Sequence, residues 1–169
     1  IVQLPQPSKE AFSGHLAAGI AIVADDTWSA MQGRKALKVN WRPGSWAAGD
    51  TDVFQASAHA ALQLAGEQAR ADGDMDSARA NAKQIIEAEY FQPFLAHSTM
   101  EPMNATIALH DDHALLIAGL QSPDSASILI NKLTGINRLN IDIRLPRSGG
   151  GFGRRSEIDF VAEAVHVAK

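Results

Sequence analysis

Apolar and polar positions change period several times along the chain, and the changes mark its elements. A run of small apolar residues at 19–24 reads as a short buried strand. Asp25, Asp26 and Thr27 then offer caps for a helix carrying Trp28, Met31 and Leu37 near helical spacing. Gly33 weakens that helix by about 1 kcal/mol relative to alanine. Val39, Asn40 and Trp41 read as a second strand, closed by Arg42, Pro43 and Gly44. Residues 43–50 are linker-like. Thr51 caps an Ala/Gln-rich helix over about 52–70, the turn Asp72-Gly73-Asp74 ends it, and a shorter helix covers 76–82.

From Lys83 the chain turns strand-rich. Residues 85–91 alternate only in part, whereas 105–109 and 114–120 flank His110-Asp111-Asp112-His113 as the arms of a hairpin. Ser122 fits an N-cap with Pro123 at the first helical position, Ile128, Leu129 and Leu133 continue the helix, and Gly135 stops it. A strand over 139–145 leads into a glycine-rich stretch, and an apolar helix over 159–168 leads out. Ser156 and Asp159 stand at capping-box spacing. The whole reads as an α+β chain of mixed strands and helices.

Composition narrows the function. A chain of 169 residues makes one or two small domains, and 46% apolar with 20% charged residues is ordinary for a globular protein. A net charge of −4 argues against a general nucleic-acid binder, which needs a basic face. No apolar run approaches the roughly 18 residues that cross a membrane. With no cysteine, the chain has no disulfide, no thiol nucleophile and no thiolate for zinc or an iron–sulfur cluster. Trp28, Trp41 and Trp46 read as packing residues, since no basic residues interleave them. Both ends look cut: there is no initiator Met, and Lys169 falls at the end of an apolar helix without an evident cap, so a piece of a longer chain is expected.

The densest candidate chemistry lies at 144–157. Four of the fifteen Lys and Arg residues (Arg144, Arg147, Arg154 and Arg155) fall there, around Gly149, Gly150, Gly151, Phe152 and Gly153. Strand, glycine turn and helix start form an anion cradle, because glycine lets backbone N–H groups approach a ligand and a helix start offers unpaired donors. At least one residue of 149–153 should then have positive φ. The stretch is neither a Walker loop nor a dinucleotide fingerprint, since no Gly-Lys-Ser/Thr follows and position 154 is Arg. Gln121 stands at a second strand-to-helix junction, the usual edge for a ligand in α/β sheets, so the two junctions are expected on one face. The His110–His113 quartet is read as a turn rather than a metal site, and Asp72-Gly73-Asp74 as a turn rather than a calcium loop.

Three motifs then occur in a recognisable order: Phe94-Leu95-Ala96-His97-Ser98-Thr99-Met100-Glu101-Pro102-Met103-Asn104, then Gln121-Ser122-Pro123, then Gly149-Gly150-Gly151-Phe152-Gly153-Arg154-Arg155. This order resembles the large subunits of the molybdenum hydroxylases, the xanthine dehydrogenase and aldehyde oxidase relatives, and most of all their isoquinoline 1-oxidoreductase β-subunit and aldehyde dehydrogenase branch. The resemblance implies the end of an α/β hammerhead domain at 1–44, a helical connector at 45–83 and the start of a molybdenum-cofactor-binding domain at 84–169.

It also implies a molybdopterin cofactor, usually the cytosine dinucleotide form in bacteria, and hydroxylation of an aromatic N-heterocycle or oxidation of an aldehyde. Gln121 would lie near the apical oxo ligand of molybdenum. Phe152 and Gly153 would line the metal's apical side, Gly149, Gly150 and Gly151 would allow that approach, and Arg154 and Arg155 would be candidates for anion contacts. Electrons would pass to iron–sulfur clusters on a small partner subunit, with the rest of the large subunit completing the site around a small-molecule substrate. The family's catalytic Glu would lie beyond Lys169, so no residue here is assigned as catalytic, and His97, Glu101 and Glu157 are not promoted to that role. This chain alone is expected neither to turn over substrate nor to retain the cofactor. Purine-oxidising relatives carry a Glu four residues after the loop Phe; Ser156 stands there, against a purine substrate. The rival reading is a non-catalytic α/β module that binds a phosphate-bearing ligand through the Gly/Arg loop.

Overall fold

Ala114, Leu116 and Ala118 are each exposed by 1% or less, whereas Ile117 between them reaches 36%. One face of this strand is core and the other is not, and the rest of the C-terminal fold is built on the difference. The computed structural model describes residues 1–5, 16–42 and 49–169. In chain order its elements are β1 (Val2–Leu4), β2 (Gly19–Ala21), α1 (Thr27–Ala36), α2 (Thr51–Leu62), α3 (Met75–Ala80), β3 (Thr106–Leu109), β4 (Ala114–Ile117), α4 (Pro123–Thr134), β5 (Ile141–Arg144) and α5 (Asp159–Ala168). The fold is mixed α+β. It divides into two units, residues 1–38 with 97–169, and residues 39–96.

In the first unit β3 and β4 form an antiparallel hairpin, Thr106 opposite Ile117 and Leu109 opposite Ala114. The His110 N–H bonds the His113 carbonyl at 2.9 Å, so the polar quartet is the hairpin turn. β4, α4 and β5 make a βαβ unit whose strands run parallel, Ala114 beside Ile141 and Ile117 beside Arg144. α4 turns Ala126, Ser127, Leu129 and Ile130 inward, and α5 turns in Phe160, Val161, Ala162 and Val165. These residues close one core with Ala114, Leu116 and Ala118, and Leu4 of β1 joins it. Pro123 starts α4 and Gly135, at φ 81°, stops it in the left-handed conformation. β1 and β2 pair antiparallel, Val2 opposite Ala21.

The second unit holds α2 and α3, neither of which buries a residue. The rings of Phe54 and Phe94 pack at 4.8 Å between centroids, tilted by 58°, and His59 Nδ1 lies 3.0 Å from Glu89 Oε1. Gly73, at φ 80°, makes the turn before α3, and Asp74 caps that helix through the Ser77 N–H.

Several expectations are corrected. Residues 19–24 form a strand only over Gly19–Ala21, and it is half-buried. Neither 39–41 nor 85–91 is a strand: each is a short β-prone run that finds no neighbouring strand to pair with among the described residues. The long helix is capped by Asp50 rather than Thr51, and it ends at Leu62 rather than near Arg70. With no buried face it has only propensity to continue on, and Gly66 follows. Trp28 and Trp41 are 69% and 65% exposed, so they are surface rather than packing residues. Trp46 and the 43–48 part of the linker lie outside the described residues. Ser156 and Asp159 form no capping box. Ser156 lies in a 3₁₀ turn, Arg154–Ser156, Ile158 precedes α5 without a side-chain cap, and Asp159 is taken by Arg154.

Candidate functional site

The parallel pairing of β4 and β5 brings their C-terminal ends side by side, and the two strand-to-helix junctions issue from those ends. Past β4 the chain runs through Gly119 and Gln121 into α4; past β5 it runs through the glycine loop into α5. The junctions touch. The Gln121 N–H donates to the Arg155 carbonyl at 2.9 Å, and Ser156 Oγ stands 3.4 Å from Gln121 Oε1. The expectation that Gln121 and the loop share one edge of the sheet is met.

The loop is far from a strand. Gly150, Phe152 and Gly153 have φ of 91°, 50° and 89°. The left-handed region is free to glycine and costs a phenylalanine energy, so the loop carries backbone strain at Phe152. The residue is 78% exposed. The space beside Gly150 and Gly153 is open. Among the described residues, the backbone N–H groups of Gly150, Gly151, Phe152 and Gly153 have no hydrogen-bond partner. Four successive donors of this kind suit oxo, carbonyl or phosphate oxygens.

The arginines play another part. Arg154 donates Nη1 and Nη2 to the two carboxylate oxygens of Asp159, at 2.8 and 2.6 Å. This bidentate bond raises the pKa of Arg154. Burial pushes the Asp159 carboxyl up, but the bonds and charge of Arg154 outweigh it and leave the pKa lowered. The charge of Arg154 is therefore matched inside the protein, not offered outward. Arg155 is 2% exposed and equally engaged within the protein. Nε bonds the Gly150 carbonyl at 2.6 Å, Nη1 the Gly119 carbonyl at 2.8 Å and Nη2 the Glu101 carbonyl at 3.1 Å. Neither arginine is the free anion contact that the loop's charge suggests. Arg147 is exposed and has no ion-pair partner among the described residues.

Glu101 completes this arrangement, and sequence reasoning passed it over. Its Oε2 accepts from the Gly149 N–H, and its Oε1 accepts from Asn104 Nδ2 at 3.0 Å and stands 3.3 Å from Arg155 Nη2. The Asn104 bond, then the Gly149 N–H, with Arg155 behind them, hold its carboxyl below the ordinary range. Thr99 Oγ1 fixes the Glu101 carbonyl at 2.8 Å. A Cβ on Gly149 would stand 2.6 Å from Glu101 Cβ, so only glycine lets the loop approach. His97 is exposed, away from these bonds. Among the described residues no group of three or more His, Asp or Glu could hold a metal ion. An apolar groove of about 500 Å³, lined by Met103, Ile107, Phe160, Glu163 and Val167 among others, contains none of the loop residues. Burial there, with the charge of Asp159, raises the pKa of Glu163.

The model of the molybdopterin cofactor-binding domain matches residues 55–169, which take in Gln121 and the whole glycine loop. The chain belongs to the molybdopterin cofactor-binding domain family. Over 161 residues, 89% of this chain, it is 29% identical to the β-subunit of isoquinoline 1-oxidoreductase from Brevundimonas diminuta, of which that stretch is 21%. It is also 26% identical to a subunit of nicotinate dehydrogenase from Pseudomonas putida and 25% identical to a membrane-bound aldehyde dehydrogenase (pyrroloquinoline-quinone) of Gluconacetobacter polyoxogenes. Each comparison covers 89% of this chain, but 13% and 20% of those two relatives. The chain thus spans a fifth or less of two of these relatives and little more of the third. No solved structure matches it. No helix of the described residues is long and apolar enough to cross a membrane.

Proposed function

We propose that the glycine loop and the Gln121 junction form part of the molybdopterin site of an oxidoreductase that hydroxylates aromatic N-heterocycles or oxidises aldehydes. The observation that carries this reading is the convergence of two adjoining parallel strand ends, one presenting Gln121 and the other four unpaired backbone donors. The residues fit such a group: its oxo and phosphate oxygens are acceptors, unpaired N–H groups are their complement, and the space beside Gly150 and Gly153 is open. Gln121 would offer its amide, and Gly150, Gly151, Phe152 and Gly153 their main-chain N–H groups. Gly149 keeps the loop close to the body, and the exposed Phe152 would offer a bound group an apolar face. Arg154 contributes by fixing the start of α5 through Asp159. When bound, the molybdenum centre would supply two-electron redox chemistry and oxygen transfer.

The names of the three relatives favour a small heterocycle or aldehyde as substrate. We propose the cytosine dinucleotide form of the cofactor, and an iron–sulfur partner subunit to carry electrons; the 169 residues themselves, without cysteine, offer no thiolate for such a cluster. Ser156 in place of an acid beside Gln121 speaks against purines.

The natural full-length protein, purified with its partner chains, tests the reading by molybdenum analysis and by fluorescence of the oxidised pterin. The parent protein should hold molybdenum near one atom per chain. Gly153→Val, which forces a branched residue to φ 89°, and Gln121→Ala should lower that content about tenfold or more. Unchanged molybdenum in both variants would overturn the reading. Binding of a cytidine nucleotide with no molybdenum in the parent would favour the non-catalytic module instead.

A further inference from the structure

We infer that Arg155, gripped by Glu101, is the positioning residue of this site, setting the glycine loop against the Gln121 junction. The inference rests on the reading of the loop as a cofactor site and adds residues to it. Arg155 touches every part of that site. Its guanidinium binds the carbonyls of Gly119 behind β4, of Gly150 in the loop and of Glu101 before β3, and its own carbonyl accepts the Gln121 N–H. Glu101 reaches the loop one residue earlier, at the Gly149 N–H. The loop is therefore clamped at 149 and 150, and its unpaired donors begin where the clamp ends.

Three features separate a positioning role from mere filling of space. Burying an arginine costs desolvation that an apolar residue of similar volume would avoid, so its presence at 2% exposure suits geometric specification better than stability. The planar fork sends donors in three fixed directions, which lysine cannot do. The neighbouring chain also makes room for it. A Cβ on Gly119 would lie 2.8 Å from Arg155 Nη1.

The test uses Arg155→Lys and Glu101→Gln in the natural full-length protein with its partner chains, beside Gln121→Ala and Gly153→Val. Molybdenum content is one readout. Hydrogen exchange of the hydrogen-bonded Gly149, Gln121 and Arg154 amides in protein stripped of cofactor is the other, and it does not depend on the cofactor. Arg155→Lys and Glu101→Gln should keep the far-ultraviolet circular dichroism of the parent, lose molybdenum about tenfold or more, and exchange these bonded amides about tenfold faster or more while α4 stays protected. Parent-like molybdenum and amide exchange in both would overturn the inference. If Gln121→Ala and Gly153→Val lose molybdenum while Arg155→Lys and Glu101→Gln keep it, the positioning role falls and the cofactor site stands. If none of the four loses molybdenum, both fall. Should Arg155→Lys fail to fold, the more exposed Glu101→Gln decides. A failure of both to fold would make the clamp a folding element and overturn the inference.

Discussion

Two helices of similar length are held in opposite ways. α5 buries Phe160, Val161, Ala162 and Val165, yet Ile158 at its N-cap makes no side-chain bond to it. α2 buries no residue, yet Asp50 caps it through the Val53 N–H at 2.8 Å. One is fixed by packing and the other by local chemistry. Packing is cooperative with the whole core, so it fixes position in space; a cap fixes only where a helix begins. The proposed site follows the first kind, because the loop that carries its donors runs between β5 and α5, both packed on the same core as α4.

The difference sets the scale of what substitution can do. Leu129→Ala, at a position with 0% exposure in α4, should destabilise the first unit by about 2–5 kcal/mol, measured by urea unfolding of the 169-residue chain. A loss under about 1 kcal/mol would mean that the core is looser than its burial implies. Next comes Gly149→Ala. Its Cβ would meet Glu101 Cβ at 2.6 Å, and relieving that contact should cost about 1–3 kcal/mol by the same measurement.

Legibility in the sequence tracks the same divide. The hairpin, the strand, helix and strand that follow one another from Ala114, and both core helices could be read from alternation, helical spacing, Pro123 and Gly135, because local pattern and tertiary burial agree there. Runs at 39–41 and 85–91 carry the same β-prone residues without a partner strand, and propensity does not make a strand without one. The loop and Gln121 were legible as a candidate site through their motifs. What the arginines do was not. Glu101 lies 48 positions from Gly149 and its carbonyl 54 from Arg155, so no spacing rule links them. The capping box failed for a related reason: Asp159 had a stronger partner in Arg154 than the backbone could offer.

On the locally determined side, Asp50→Ala should cost α2 about 1 kcal/mol, read as lost protection of the 53–62 amides in hydrogen exchange, with α5 unaffected. Spreading of the loss to α5 would show that the two helices share one cooperative unit. Acid should act in the other direction, on the packed unit. Glu101 and Asp159 both have lowered folded pKa values, so each stabilises the fold above the ordinary carboxylate range and loses that contribution as pH falls through its folded pKa. Glu163, raised by burial, opposes them weakly. The melting temperature should therefore drop below about pH 4, and Glu101→Gln should flatten part of that drop. An identical acid limb in the variant would show that the clasp does not respond to the ionisation of Glu101.

The smallest effect is the sharpest probe of α2. Leu62 ends that helix 68% exposed, so truncation to alanine removes little area from the interior. Alanine is also the better helix former, by a few tenths of a kcal/mol at most. Loss of slight burial and gain of propensity nearly cancel, and Leu62→Ala should change the stability of the chain by no more than about 0.5 kcal/mol in either direction. Leu62→Ala and Leu129→Ala delete the same side chain from a helix, and only packing differs. A cost for Leu62→Ala above about 1 kcal/mol would mean that the side chain is covered in solution. If that cost also rose with protein concentration, the cover would be a second copy of the chain, and α2 would be packed after all.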